Sequence, residues 1–226
     1  MQRHNIFYQV HKGLRALLFE TAIFLQQVDF TSEVEIEKVK ERMNELVCLF
    51  EGHAHTEDHF ILPAIEAYEP AVVDAFEGEH KEDIQLSRRL KDVLNGLLDA
   101  NNDYDRIEFG KSLNLLFAEF VIFNLAHMAK EESVLNKFLW RYYGDDELKQ
   151  ITKGIIAEHK AEDIKRFNRW MLRGLNNNEI IAWLKNIKDN APCFVFQDLI
   201  QQASEEINRE RWMQIQEHLT EGVLLA

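Results

Sequence analysis

The sequence predicts an all-α protein: an antiparallel up-down four-helix bundle followed by about three further helices. Three observations carry that expectation. Apolar residues recur at three- and four-residue spacing through most of the 226 residues, with no sustained alternation of the kind a half-buried strand needs. Nine glycines and three prolines are too few turn formers for a many-stranded sheet. The connections between the first four apolar stretches are short, as between antiparallel neighbours.

Residues 5–29 come first, with Phe7, Leu14, Leu17, Leu18, Ala22 and Leu25 along one stripe. Thr31 or Ser32 can cap the second helix, and Glu33, Glu35 and Glu37 suit its positive N-terminal end. That helix is expected to run to about Tyr68 and to close at Glu69-Pro70. The third starts at Pro70, a favoured first-turn position, and fades in the LDANNDYD loop. The fourth runs from about Asp105 to Tyr143, with Gly144 as its C-terminal cap. Beyond it, a fifth helix is expected to about Gly174, a sixth over Glu179–Lys188, and a seventh from the DNAPC break to near His218. With no flexible linker at Gly144, residues 1–144 read as the bundle and 145–226 as a helical extension packed on it.

Composition narrows the function. A chain 46% hydrophobic and 29% charged is globular, and 39 acidic against 26 basic residues give a net charge of −13. That balance argues against a nucleic-acid binder and against docking on anionic lipid. There is no run of 18 apolar residues to span a membrane, and the polar start MQRHN lacks the apolar stretch of a signal peptide. Two cysteines, Cys48 and Cys193, make no disulfide framework, so a cytoplasmic chain is expected.

The nine histidines are the most informative feature. His53 and Glu57 on the second helix, and His127 and Glu131 on the fourth, each stand four apart and so share a helical face. His11 and His80 lie on the first and third helices. All are flanked by apolar residues on their own faces: Leu14 and Leu18 beside His11, Leu46 and Phe50 beside His53, Phe76 and Ile84 beside His80, Phe120 and Val134 beside the last pair. Counting from the turns near residues 31, 69 and 103 brings the four positions level to within two or three residues. At 1.5 Å per residue that is about 3 to 5 Å, less than one helical turn. Four imidazoles and two carboxylates at one level of one core suit two metal ions with both carboxylates shared. Nitrogen and oxygen donors without thiolate favour iron, with manganese and zinc as alternatives.

A histidine in HKGLR, then HAHTEDHFILPAIE with Pro63, then GEHKEDI, then HMAKEESVL resembles the hemerythrin-like HHE cation-binding family over roughly residues 5–140. The resemblance implies a non-haem di-iron centre in a four-helix bundle, with His11, His53, Glu57, His80, His127 and Glu131 as ligands. Respiratory hemerythrins carry a further histidine one turn along the third helix; Ile84 stands there in this chain, which argues against stable oxygen carriage. His159, on the fifth helix, is a further candidate ligand or outer hydrogen-bond partner, with Asp83 and Asp163 as outer partners.

His55 and His59 also stand four apart, but Glu57 sits at the wrong offset for a zinc-protease helix, and both are expected to face solvent. Cys48 reads as a small buried apolar residue. Trp140, Trp170, Trp183 and Trp212 are expected to lock the C-terminal helices onto the bundle. The function expected is binding of dioxygen, nitric oxide or peroxide at an open iron position, for sensing, scavenging or iron handling. The alternatives are an iron donor or repair factor for iron–sulfur clusters, a di-iron enzyme turning over peroxide or nitric oxide, and a metal-free helical adaptor. The C-terminal helices offer a surface for a protein partner or a second copy.

Overall fold

The structure, a computed structural model, describes residues 3–220, so the outer ends of the two expected domains, residues 1–2 and 221–226, lie outside the described residues. Every regular element among the described residues is helical. The order is α1 (Tyr8–Gln27), α2 (Glu33–Thr56), α3 (Leu62–Glu66), α4 (Pro70–Asp99), α5 (Asp103–Lys130), α6 (Asn136–Tyr142), α7 (Asp145–Glu158), α8 (Ala161–Gly174), α9 (Asn177–Asn190), α10 (Cys193–Glu206) and α11 (Arg209–Thr220).

Local chemistry explains most boundaries. Ser32 accepts from the Glu35 amide at the start of α2, and Asn102 from the Asp105 amide at the start of α5. Pro70 opens α4. Asn176 and Glu179 cap α9 reciprocally, each side chain reaching the other's amide.

Four expectations need correcting. The second and fourth long helices are each interrupted by one π-helical turn, Glu57–Ile61 and Glu131–Leu135, before continuing as α3 and α6. Pro63 accounts for the first: it has no amide hydrogen, and its ring crowds the carbonyl four residues back, so the wider turn relieves it. Gly144 is not a left-handed cap; the chain leaves α6 through an extended Tyr143, and the Gly144 amide donates to Glu147 Oε2 at the start of α7. Among the described residues five helices, not three, follow Gly144, because the chain straightens at His159 and again at Ile207. Cys48 is exposed rather than buried.

By internal contacts the chain divides into two compact units: Met1–Tyr8 with Leu17–His159, and Gln9–Ala16 with Lys160–Ala226. In the first, α4 packs along α5, α2 packs on α4, and α3 sits against α4 and α6. One end of its interior is an apolar layer of Phe7, Ile61, Leu62, Ile65, Phe76, Leu135, Leu139 and Leu148. Trp140 belongs to this unit, donating from Nε1 to the His4 carbonyl at 2.7 Å. The continuous run Asp103–Tyr142 is long and apolar enough to cross a membrane by length and composition alone. Its buried face carries Asn124, His127 and Glu131, as suits a core helix.

The second unit has its own core of Leu172, Leu175, Ile180, Leu184, Leu199, Ala203, Ile207 and Ile215, with Trp212 inside it and Trp183 against it. The Trp170 ring is buried, and the Arg173 guanidinium lies over it at 4.8 Å. Trp183 and Trp212 thus serve that core. A short stretch of α1 belongs here too. A Cβ on Gly13 would meet the Met171 amide nitrogen at 2.8 Å, and one on Gly174 would meet the Lys12 carbonyl oxygen at 2.3 Å, so both positions require glycine. Lys12 Nζ is 2.6 Å from Glu179 Oε2.

Candidate metal centre

Near the middle of α2 the helix buries Leu46 and Phe50, and one turn further the same face presents His53. The π turn then begins at Glu57, whose amide is shared between the His53 and Ala54 carbonyls. On the fourth long helix the pattern repeats: Phe120, Asn124 and His127 follow one buried face, and the second π turn begins at Glu131. Both carboxylates therefore sit at the point where their helix widens. π turns of this kind are frequent at functional sites.

These residues are deeply buried, Glu57 at 2% exposure and Glu131 at 0%. Two carboxylates so far from water require compensation. It comes from imidazole: His53 Nε2 lies 3.2 Å from Glu57 Oε1, His80 Nε2 3.4 Å from Glu57 Oε2, and His127 Nε2 2.9 Å from Glu131 Oε1. The His80 and His127 rings meet edge-on at 5.0 Å. Ligand atoms of Glu57, His80, His127 and Glu131 all lie within 4.8 Å of one another, and those of His53, Glu57 and Glu131 are equally close. His11, on α1, which runs unbroken from Tyr8 to Gln27, falls in the second unit and is fully buried. Glu57 and Glu131 belong to both groups. Such a cluster of buried imidazoles and carboxylates could hold a metal ion.

Two outer carboxylates were not read from the sequence. Asp58 Oδ1 lies 2.6 Å from His80 Nδ1, and Glu79 Oε2 lies 2.8 Å from His127 Nδ1 while its other oxygen takes Lys130 Nζ at 2.7 Å. Such partners turn Nε2 of each ring toward the centre and raise its basicity. Asp58 follows Glu57 and Glu79 precedes His80, so adjacency to a ligand position was the only available signal. Asp83 is also buried, accepting from Asn124 Nδ2 at 2.8 Å, and burial pushes its carboxyl above the usual range. Burial opposes charge on His127, but its bonds to Glu131 and Glu79 outweigh it and raise the imidazole to about 9. His80 is raised in the same sense, against its own desolvation, by Glu57 and Asp58.

The other candidates fall elsewhere. The Thr56 hydroxyl donates to the Gly52 carbonyl and accepts from His159 Nε2 at 2.9 Å. His159 is in neither group of candidate ligands. Asp163 pairs with Arg166 on α8 at 3.5 Å. Ile84 is 40% exposed, and Val134 lies half-exposed at the rim. Four imidazoles and two carboxylates fit two transition-metal ions. The buried His80 Nε2, 3.4 Å from Glu57 Oε2 but without hydrogen-bond geometry to it, is a nitrogen of the kind such an ion takes up.

The fold and this donor set define a helical cation-binding protein. Residues 3–139 match the family model of the hemerythrin HHE cation binding domain, and the chain belongs to that family. It is similar to the F-box/LRR-repeat protein 5 of Xenopus tropicalis, 25% identical over 171 residues, covering 74% of this chain and 25% of the frog protein. The mouse protein of the same name is 23% identical over 172 residues, covering 76% of this chain and 24% of its own. The chain thus spans about a quarter of the length of the curated relatives it matches.

Proposed function

We propose that the chain is a non-haem di-iron protein that binds a small ligand, dioxygen, nitric oxide or peroxide, for sensing, scavenging or iron handling. The supporting observation is the pair of overlapping buried groups that share Glu57 and Glu131. In this reading α1, the α2–α3 run, α4 and the α5–α6 run form the up-down bundle, and His11, His53, Glu57, His80, His127 and Glu131 would hold the irons. Two irons there would supply electron-accepting and ligand-binding chemistry at positions the six side chains leave open. The protein's part is to hold that centre. Asp58 and Glu79 fix the two Nδ1–H groups, and Asp83 with Asn124 ties α4 to α5 beside them. Phe50 and Phe120, edge to face at 5.2 Å, close one side against water.

Four nitrogens and two carboxylates make the irons less acidic than a carboxylate-rich oxidase centre, which favours reversible binding. The relatives carry this region as a quarter of a longer chain, which favours a sensing or iron-handling module over a free-standing enzyme. A cytoplasmic location is part of the same reading. Metal quantitation with an electronic spectrum, recorded aerobically and after reduction, tests it. The expected result is two irons per chain and a spectrum that changes on reduction and again on adding dioxygen or nitric oxide. Protein that takes up no metal under anaerobic iron loading overturns the reading.

A further inference from the structure

His55 and His59 stand on the outward side of the helical run whose inner side presents His53 and Glu57, and both are exposed. Their ring centroids are 3.9 Å apart, with the planes tilted by 39°. His59 Nδ1 lies 2.8 Å from the His55 carbonyl oxygen. A carbonyl only accepts, so Nδ1 carries the hydrogen and Nε2 of His59 is the lone-pair nitrogen. Metal-bound imidazoles are held in that way, one nitrogen donating to a carbonyl or carboxylate and the other turned to the ion. Two imidazoles four residues apart on a helix are also the spacing at which a helix chelates zinc.

We propose that His55 and His59 form a surface chelate for a divalent d-block cation, zinc, nickel or copper(II), separate from the buried centre. The donor type selects these ions, because magnesium and calcium require oxygen ligands. Glu57, midway between the two, is turned inward and buried, so water fills the remaining positions and the bound ion exchanges readily. His55 lies in the last turn of α2 and His59 inside the π turn. A cation held by both therefore spans the junction where the helix widens, and ties the two segments together on the side away from the buried carboxylates.

The test uses the full chain with its buried centre loaded. Nickel titration is expected to show one equivalent that His55→Ala and His59→Ala each weaken about 100-fold, the loss on turning a chelate into a single contact. Core metal content stays unchanged in both variants, and trace copper(II) broadens the ring resonances of His55 and His59 before any others. Glu131→Ala is expected to lose the core metal and keep the nickel equivalent, so failure at one site is read separately from failure at the other. Equal nickel binding by the wild type and the double variant overturns the proposal, as does first broadening at other residues.

Discussion

The two units have interiors of opposite character although both are helical throughout. Among the residues of the second unit whose burial is described, His11 is the one buried polar or charged side chain; its core cluster is leucine, isoleucine, alanine and tryptophan. The first unit buries His53, Glu57, His80, Asp83, Asn124, His127 and Glu131. An aliphatic interior stabilises through area removed from water, and it is complete as it stands. A polar interior at this depth is costly unless each charge meets its complement. One unit is packed for its own stability, and the other around a cluster of side chains that could hold a metal ion.

The sharpest way to break that contrast is to truncate one residue in each core. Leu184→Ala is expected to lower stability by about 2–5 kcal/mol through cavity formation, with metal content unchanged. Glu57→Ala or Glu131→Ala is expected to remove both metals, since each carboxylate belongs to both groups. Such a variant loses all metal-dependent stabilisation, about 2.7 kcal/mol at a free metal concentration 100 times Kd. Melting curves with and without chelator, beside metal quantitation, decide it: a chelator effect of equal size in wild type and Glu131→Ala would erase the distinction.

A smaller effect is expected one layer out. Asp58→Asn and Glu79→Gln should each weaken metal binding about 10–100-fold. Competition titration against a chromophoric chelator measures it, and unchanged affinity in both variants would make the two carboxylates ordinary surface acids.

Acidity offers a subtler test. In the metal-free protein His127 is raised from 6.5 to about 9, so its stabilising contribution is complete below pH 6.5 and is lost as pH rises through about 9. Metal uptake needs the deprotonated ring and so strengthens over the same range. The metal-free melting temperature should fall from pH 6.5 to 9 while metal affinity rises; parallel trends would refute the link between the two. Least of all should change in His55→Ala, with core metal content and melting temperature at wild-type values.

Much of this arrangement was legible because the face of a helix is set by spacing. Leu14, Phe50, Phe76 and Phe120 mark the buried stripes, and the histidines and glutamates brought together lie on those stripes. What spacing could not convey were departures from the regular helix. Pro63 foreshadows the first π turn, but nothing between Glu131 and Leu135 differs locally from ordinary helix, and we have no sequence account of the second. The straightened Ile207 is followed by Asn208, which accepts from the Arg211 amide and could have been read as a cap. The break at His159 has no such marker, for the side chain of Lys160 does not cap α8. Asp58 and Glu79 were hidden among 39 acidic residues, most of which face solvent.

The close crossing of α1 over α8 bears on how this protein can be cut for study. A fragment ending at residue 139, where the family match stops, keeps all six buried donors but deletes the backbone at Met171 and Gly174 on which Gly13 and Lys12 rest. It also removes Glu179, the counter-ion of Lys12. The excised piece would carry His11 on a helix with one flank stripped bare. Constants measured on such a fragment describe a looser molecule than the parent, and dissection should begin with point substitutions in the full chain.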